Sequence, residues 1–175
     1  PVLYESWSRW SWPKPKGVGA CDIVHSTTIV TPPRGSAPLV VSVHDLAFRR
    51  HPDRFPSRAR RLYERSWRRV LERADAVVCP SAATSADLRA GGIDVDRLRL
   101  VPLGHDPLPV SDQDRAAVRE QFDLAGRFIL ATGTVEPRKN LPILIEAFER
   151  LDPSHDVQLV LAGPAGWGDT PEQLL

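Results

Sequence analysis

The sequence predicts an α/β fold with parallel sheets covered by helices, spread over two domains. Three features carry that expectation. Six short apolar runs read as buried strands: 22–25, 39–43, 76–79, 98–101, 128–131 and 157–162. Helical patterns lie between them, and strands that are apolar on both faces and alternate with helices form parallel sheets. The stretch "VPLGHDPLPVSDQD", 101–114, then breaks both patterns with Pro102, Pro107 and Pro109, which marks a linker.

The elements follow in order. Residues 1–20, "PVLYESWSRWSWPKPKGVGA", read as irregular, with tryptophans that either pack onto the first domain or sit in a loop. Ser57 is the expected cap of a helix over 57–73, whose Leu62, Ser66 and Val70, flanked by Tyr63, Trp67, Leu71 and Ala74, share one face. Ser81 follows Pro80 and caps a helix to about residue 90, stopped by Gly91-Gly92. Another helix covers about 112–121. Asn140 is the expected cap of a helix over 141–151, with Pro142 tolerated in its first turn and Leu144, Ile145 and Phe148 inward.

Composition excludes several classes. The chain has 175 residues, 42% hydrophobic and 26% charged, as in a soluble globular protein. No apolar run approaches the roughly 18–20 residues that span a bilayer. The polar, Trp- and Pro-rich start is unlike a signal peptide. There is no Met, and Thr170-Pro171-Glu172 reads as a helix start cut short, so an interior fragment is expected. A net charge of +1 gives no bulk field for nucleic acid. Cys21 and Cys79 have no CxxC spacing and read as reduced thiols of a cytosolic protein.

Ligands of open parallel sheets bind beyond the carboxyl ends of the strands. Three stretches meet that condition. In "VSVHDLAF", His44 and Asp45 leave a buried strand: His44 either donates to a substrate oxygen or satisfies a backbone carbonyl, and Asp45 caps a turn in the second case. In "ATGTVEPRKNLPIL", Gly133 and Thr134 end a strand and Arg138 and Lys139 precede a helix start. Its free N–H groups and two cations suit a diphosphate, unless one cation pairs with Glu136 in a solvated loop. The third, "LAGPAGWGD", 161–169, is a glycine-rich strand exit that serves a ligand or an ordinary loop.

No metal site is expected. Asp94 and Asp96 form a DxD, but at a turn before a strand, and His44 and His51 lack a further ligand at useful spacing. Arg58, Arg61, Arg65 and Arg68 form a basic stripe on the 57–73 helix, which reads first as a solvated face, then as a contact with anionic lipid and last with nucleic acid.

Taken in order, "VVSVHDLAF", "ADAVVCPSAATSADL", "RLRLVPLGHD", "FILATGTVEPRKNLPILIEAFERL" and "VQLVLAGPAGWG" resemble glycosyltransferase family 4, retaining enzymes of the GT-B fold, over about 22–168. The branch with the "GT-x-EPRKN" loop, which includes many mannosyltransferases, is the most similar. The resemblance implies parts of two Rossmann-like domains, 1–106 on the acceptor side and 116–175 binding the nucleotide-sugar, joined by a linker at 107–115. It places His44 near the transferred sugar as the catalytic candidate. Arg138 and Lys139, with Gly133 and Thr134, fall on the donor diphosphate, and Asp45, Gly104 and Gly163 line the cleft. Many members carry Gly-Arg where this chain has Gly133-Thr134.

The implied chemistry is hexosyl transfer with retention to a glycan or lipid-linked acceptor, in surface polysaccharide assembly. Cations placed beforehand against the leaving diphosphate stabilise the charge it gains, so no metal cofactor is expected. GDP-mannose is the first donor expected, and the setting is cytoplasmic, at the inner membrane face. The family's glycine-rich acceptor loop and E-x7-E element are not in this sequence, so little activity is expected of it alone. The competing readings are a non-catalytic GT-B-like module that binds nucleotide or glycan, and an unrelated Rossmann-type protein whose basic loop holds phosphate.

Overall fold

The computed structural model describes residues 2–15, 21–33 and 35–166. The expected helix start at Thr170-Pro171-Glu172, and Trp167, Gly168 and Asp169 of the glycine-rich exit, lie outside them. The chain divides into two compact units, Pro1–His105 and Asp106–Leu175. Among the described residues, no helix is long and apolar enough to cross a membrane.

In the first unit β1 (Val24–Ser26), β2 (Leu39–Ser42), β3 (Ala76–Cys79) and β4 (Leu98–Leu100) pair in that order, all parallel. Alternation along the strands sends Leu39, Val41 and Val43, with Val77 and Cys79, into one core. There they meet Trp67 and Val70 of a 17-residue helix, Ser57–Arg73, and Leu88 of the helix Ala82–Ala90. On the opposite sheet face Val40, Ser42 and Val78 are half-buried and His25 is exposed. Ser81 caps the second of these helices by accepting from the Thr84 N–H at 3.1 Å. The first departs from expectation at its start. Pro56 occupies the cap position and no side chain caps it; Ser57 is already helical. Its far end is closed by Arg97, whose Nη1 donates to the carbonyls of Leu71 and Ala74 at 3.0 and 2.9 Å.

The stretch expected to be irregular contains a helix, α1, Val2–Trp10. Among its described side chains only Ser8 is buried, Glu5, Ser6 and Trp7 are half-buried, and the rest are exposed, a pattern without an apolar periodicity. Glu5 takes Arg65 at 2.7 Å. Arg69 donates to the Ser8 carbonyl at 3.1 Å and also bonds the Ser11 hydroxyl. With α1 counted first, the short helix Ala47–Arg50 is α2, Ser57–Arg73 is α3 and Ala82–Ala90 is α4.

In the second unit β5 (Arg127–Thr132) and β6 (Val157–Ala162) pair in parallel. α5 (Asp112–Gln121) precedes them, and α6 (Leu141–Glu149) connects them, ending two residues before the expected 151. A capping box starts α5: Ser111 accepts from the Asp114 N–H, and Asp114 accepts from the Ser111 N–H at 2.9 Å. Asn140 precedes α6 but does not cap it with its side chain. It follows a 3₁₀ turn, Pro137–Lys139, and takes the left-handed conformation, φ 54°, which Asn tolerates.

Candidate functional site

The basic loop begins where β5 ends. Pairing with the neighbouring strand continues beyond both strands: the Gly133 N–H donates to Ala162 at 3.0 Å and the Val135 N–H to Pro164 at 3.1 Å. Gly133 has φ +133°, a conformation L side chains rarely adopt. It also makes room for a cation. A Cβ added at 133 would stand 3.2 Å from Lys139 Cε and 3.4 Å from Nζ. Lys139 therefore lies across the strand end, and with Thr132, Gly133, Thr134 and Gly163 it lines a pocket there. Among the described residues Lys139 makes no ion pair.

Arg138 is placed differently. It pairs with Glu136, whose side chain is 3% exposed against 38% for Arg138. The pairing foreseen as the alternative to phosphate binding is thus present for one of the two cations. A buried carboxylate needs such a partner, because unpaired it carries its full desolvation cost. Arg138 in this state both neutralises Glu136 and keeps an exposed portion of its guanidinium. The burial of Glu136, together with Val135, was not readable from spacing.

Gly163 has a structural reason of its own. A Cβ there would lie 2.0 Å from the Gly133 carbonyl oxygen, and one at Gly166 would lie 2.1 Å from that of Val135. The close approach these glycines permit is between the two strand exits.

In the first unit His44 and Asp45 follow β2, both exposed. Asp45 Oδ1 accepts from the Ala47 N–H at 2.9 Å and so starts α2. His44 Nε2 lies 3.1 Å from the Thr27 carbonyl, and the His44 carbonyl accepts from the Thr84 hydroxyl at 3.0 Å. A carbonyl only accepts, so Nε2 carries the proton and Nδ1 is the atom left for another partner. Gly104 has nothing within 4 Å of an added Cβ, so local packing does not demand glycine there. Asp94 precedes and Asp96 lies within a 3₁₀ turn, Val95–Arg97, where the Asp94 carbonyl accepts from the Arg97 N–H at 3.1 Å. Among the described residues no three His, Cys, Asp or Glu side chains cluster as a metal site would. Of the basic stripe, Arg58 and Arg65 reach Glu5 of α1, while Arg61 and Arg68 are exposed.

Residues 7–107 match the family described as Glycosyltransferase Family 4. The O-antigen chain mannosyltransferase B of Escherichia coli is 28% identical over 136 residues, 74% of this chain and 36% of that protein. The D-inositol 3-phosphate glycosyltransferase of Nocardia farcinica is 33% identical over 116 residues, 62% of this chain and 26% of that protein. Among solved structures, Anabaena HepE in complex with UDP-glucose superposes with a TM-score of 0.65 at 21% identity, over 85% of this chain and 41% of HepE. HepE with UDP and glucose gives 0.63, also at 21% identity, over 84% of this chain and 40% of HepE. The chain thus spans less than half the length of each of these proteins, and its α/β fold with parallel sheets is that of a GT-B glycosyltransferase. The chain belongs to glycosyltransferase family 4.

Proposed function

We propose that this family member takes part in moving a hexosyl group from a nucleotide-sugar to a glycan or lipid-linked acceptor, with retention, in surface polysaccharide assembly at the cytoplasmic face of a membrane. The observation that carries the reading is Lys139, laid across the glycine at the end of β5 without an ionic partner among the described residues. A mobile ammonium beside a strand-end pocket is suited to a diphosphate. Arg138 adds a second cation through the exposed portion of its guanidinium, while it stays paired with Glu136. In this role the two cations stabilise the leaving diphosphate without a metal. His44 is assigned to the transferred sugar, with Nδ1 as the atom available to it. Gly133 and Thr134 supply the pocket floor on the donor side.

Two donors have support. The mannosyltransferase relative favours a mannosyl donor, for which GDP-mannose is the first candidate. HepE, whose structures hold UDP-glucose or UDP with glucose, favours a uridine donor. Titrating UDP and GDP by calorimetry, and following sugar transfer from UDP-glucose and GDP-mannose by mass spectrometry, separates them. The expected result is binding of one nucleotide at least about tenfold tighter, a difference of about 1.4 kcal/mol. Binding of neither diphosphate overturns the reading.

One observation favours a second reading, nucleotide binding without turnover: Arg138 is already held by Glu136. Tight diphosphate binding by the full-length protein with no transfer from either sugar donor supports that alternative.

A further inference from the structure

Arg9, Arg58, Arg61 and Arg65, with Glu5 and Trp10, line a pocket formed by α1 and α3. Four guanidiniums there face one carboxylate. Glu5 accepts from Nε of Arg9 at 3.3 Å, from Nε of Arg58 at 3.4 Å and from Nη2 of Arg65 at 2.7 Å. These bonds leave the terminal nitrogens of Arg9 and Arg58 as unused donors, and Arg61 makes no ion pair among the described residues. Burial raises the Glu5 carboxyl, but hydrogen bonds from Arg58 and Arg9 and the charge of Arg65 outweigh it and hold the group below its ordinary value. The carboxylate is therefore charged near neutrality and fixes the arginines, yet it offsets only one of their four charges. At the pocket Trp10 is 69% exposed, and Leu3, Tyr4 and Trp12 are exposed nearby in sequence. Exposed aromatic side chains beside arginines are the pattern of a surface that meets lipid headgroups.

We propose that this pocket binds a phosphate group, held by Arg9, Arg58 and Arg61, with Trp10 against the apolar part of the same ligand. The exposed aromatics favour the headgroup of an anionic phospholipid as the source; a small phosphate ester shares the chemistry. The pocket shares no residue with the one at the β5 strand end and does not rest on the glycosyltransfer reading.

The test pairs two double variants. Arg58→Gln/Arg61→Gln removes pocket charge at two exposed positions and leaves the Glu5–Arg65 contact in place. Arg60→Gln/Arg68→Gln removes the same charge from α3 outside the pocket lining. One arm is co-sedimentation with phosphatidylcholine vesicles with and without phosphatidylglycerol. The other is titration of glycerol 1-phosphate followed by NMR. The pocket pair is expected to weaken binding by about tenfold or more, and the control pair by about threefold or less, with circular dichroism unchanged in both. Loss in the vesicle arm identifies a headgroup, and loss only in the glycerol 1-phosphate arm identifies a small phosphate ester. Equal losses for the two pairs, no loss for the pocket pair, or no binding by the unaltered protein in either arm overturns the proposal. Titrations with UDP or GDP report on the other site and are expected to be the same in both variants.

Discussion

Leu39, Val41, Val70 and Val77 in the first unit are at most 1% exposed, whereas among the described residues of the second only Val135 and Glu136 are buried. Phe128, Ile129 and Leu130 along β5 are 36%, 40% and 52% exposed. Both units pair parallel strands and connect them by helices. The first packs buried side chains across a core; in the second, among the described residues, the apolar side chains of β6 and α6, such as Leu144, Phe148 and Leu159, are half-buried at most. In the second unit the best-packed residues lie in the loop that carries the candidate site. Changes to that loop therefore act on ligand binding and on local order together; His44, exposed beyond the end of β2, is held by its hydrogen bonds with the Thr27 carbonyl and the Thr84 hydroxyl.

The largest expected effect tests the packed side of this contrast. Trp67→Ala is predicted to cost about 3–5 kcal/mol in urea unfolding of the first unit, as for other large core deletions. Leu130→Ala, already half in water, is predicted to cost about 1 kcal/mol or less. Comparable losses for the two would break the contrast.

A second prediction sharpens the role of backbone approach. Gly163→Ala puts a Cβ 2.0 Å from the Gly133 oxygen, so the strand exits must separate. The expected cost is about 1–3 kcal/mol, as for overpacking. Amide exchange at Gly133 and Val135 should quicken while Val41 and Val77 remain protected. Unchanged exchange at Gly133 contradicts the packing role.

The smallest effect concerns α5. The Asp114 carboxyl is held below its ordinary value, first by its hydrogen bond from the Ser111 hydroxyl and then by the Ser111 N–H. A depressed carboxylate contributes stability that is present above the unfolded-state value and disappears as pH falls through the folded one. Helix α5 should fray only at acidic pH, with the Asp114 midpoint, read by NMR, below that of a free Asp. Ser111→Ala should raise that midpoint; no rise would remove the cap from the account.

Much of this fold was legible because apolar runs and helical spacing report directly on burial. β3 and β6 match their expected spans, and α3 ends as expected at Arg73 although Ser57 is its first residue and not its cap, because Trp67 and Val70 repeat at helical intervals. α1 escaped because its inner side is Glu5 and Ser8 set against arginines, a contact with no apolar signature. At the candidate site the cations and the strand-end glycine were visible as residue types. The burial of Glu136 and the contact of Gly163 with Gly133 were not, since each depends on chain distant in sequence or on burial no local pattern encodes. Family resemblance pointed to the diphosphate; the structure adds that Arg138 is engaged and that Lys139 lies over Gly133.

That asymmetry defines the decisive measurement. Lys139→Ala disturbs no ion pair among the described residues, whereas Arg138→Ala also strands a buried carboxylate, so Lys139 is the clean variant. Calorimetric affinities of UDP and UMP, or GDP and GMP if guanosine is the base, compare a ligand with and without the second phosphate. The account predicts that the intact protein prefers the diphosphate, and that Lys139→Ala lowers that preference by about tenfold or more, about 1.4 kcal/mol, with urea stability unchanged. If Lys139→Ala retains the full preference for the diphosphate, the loop at the end of β5 is not where the donor's phosphates bind.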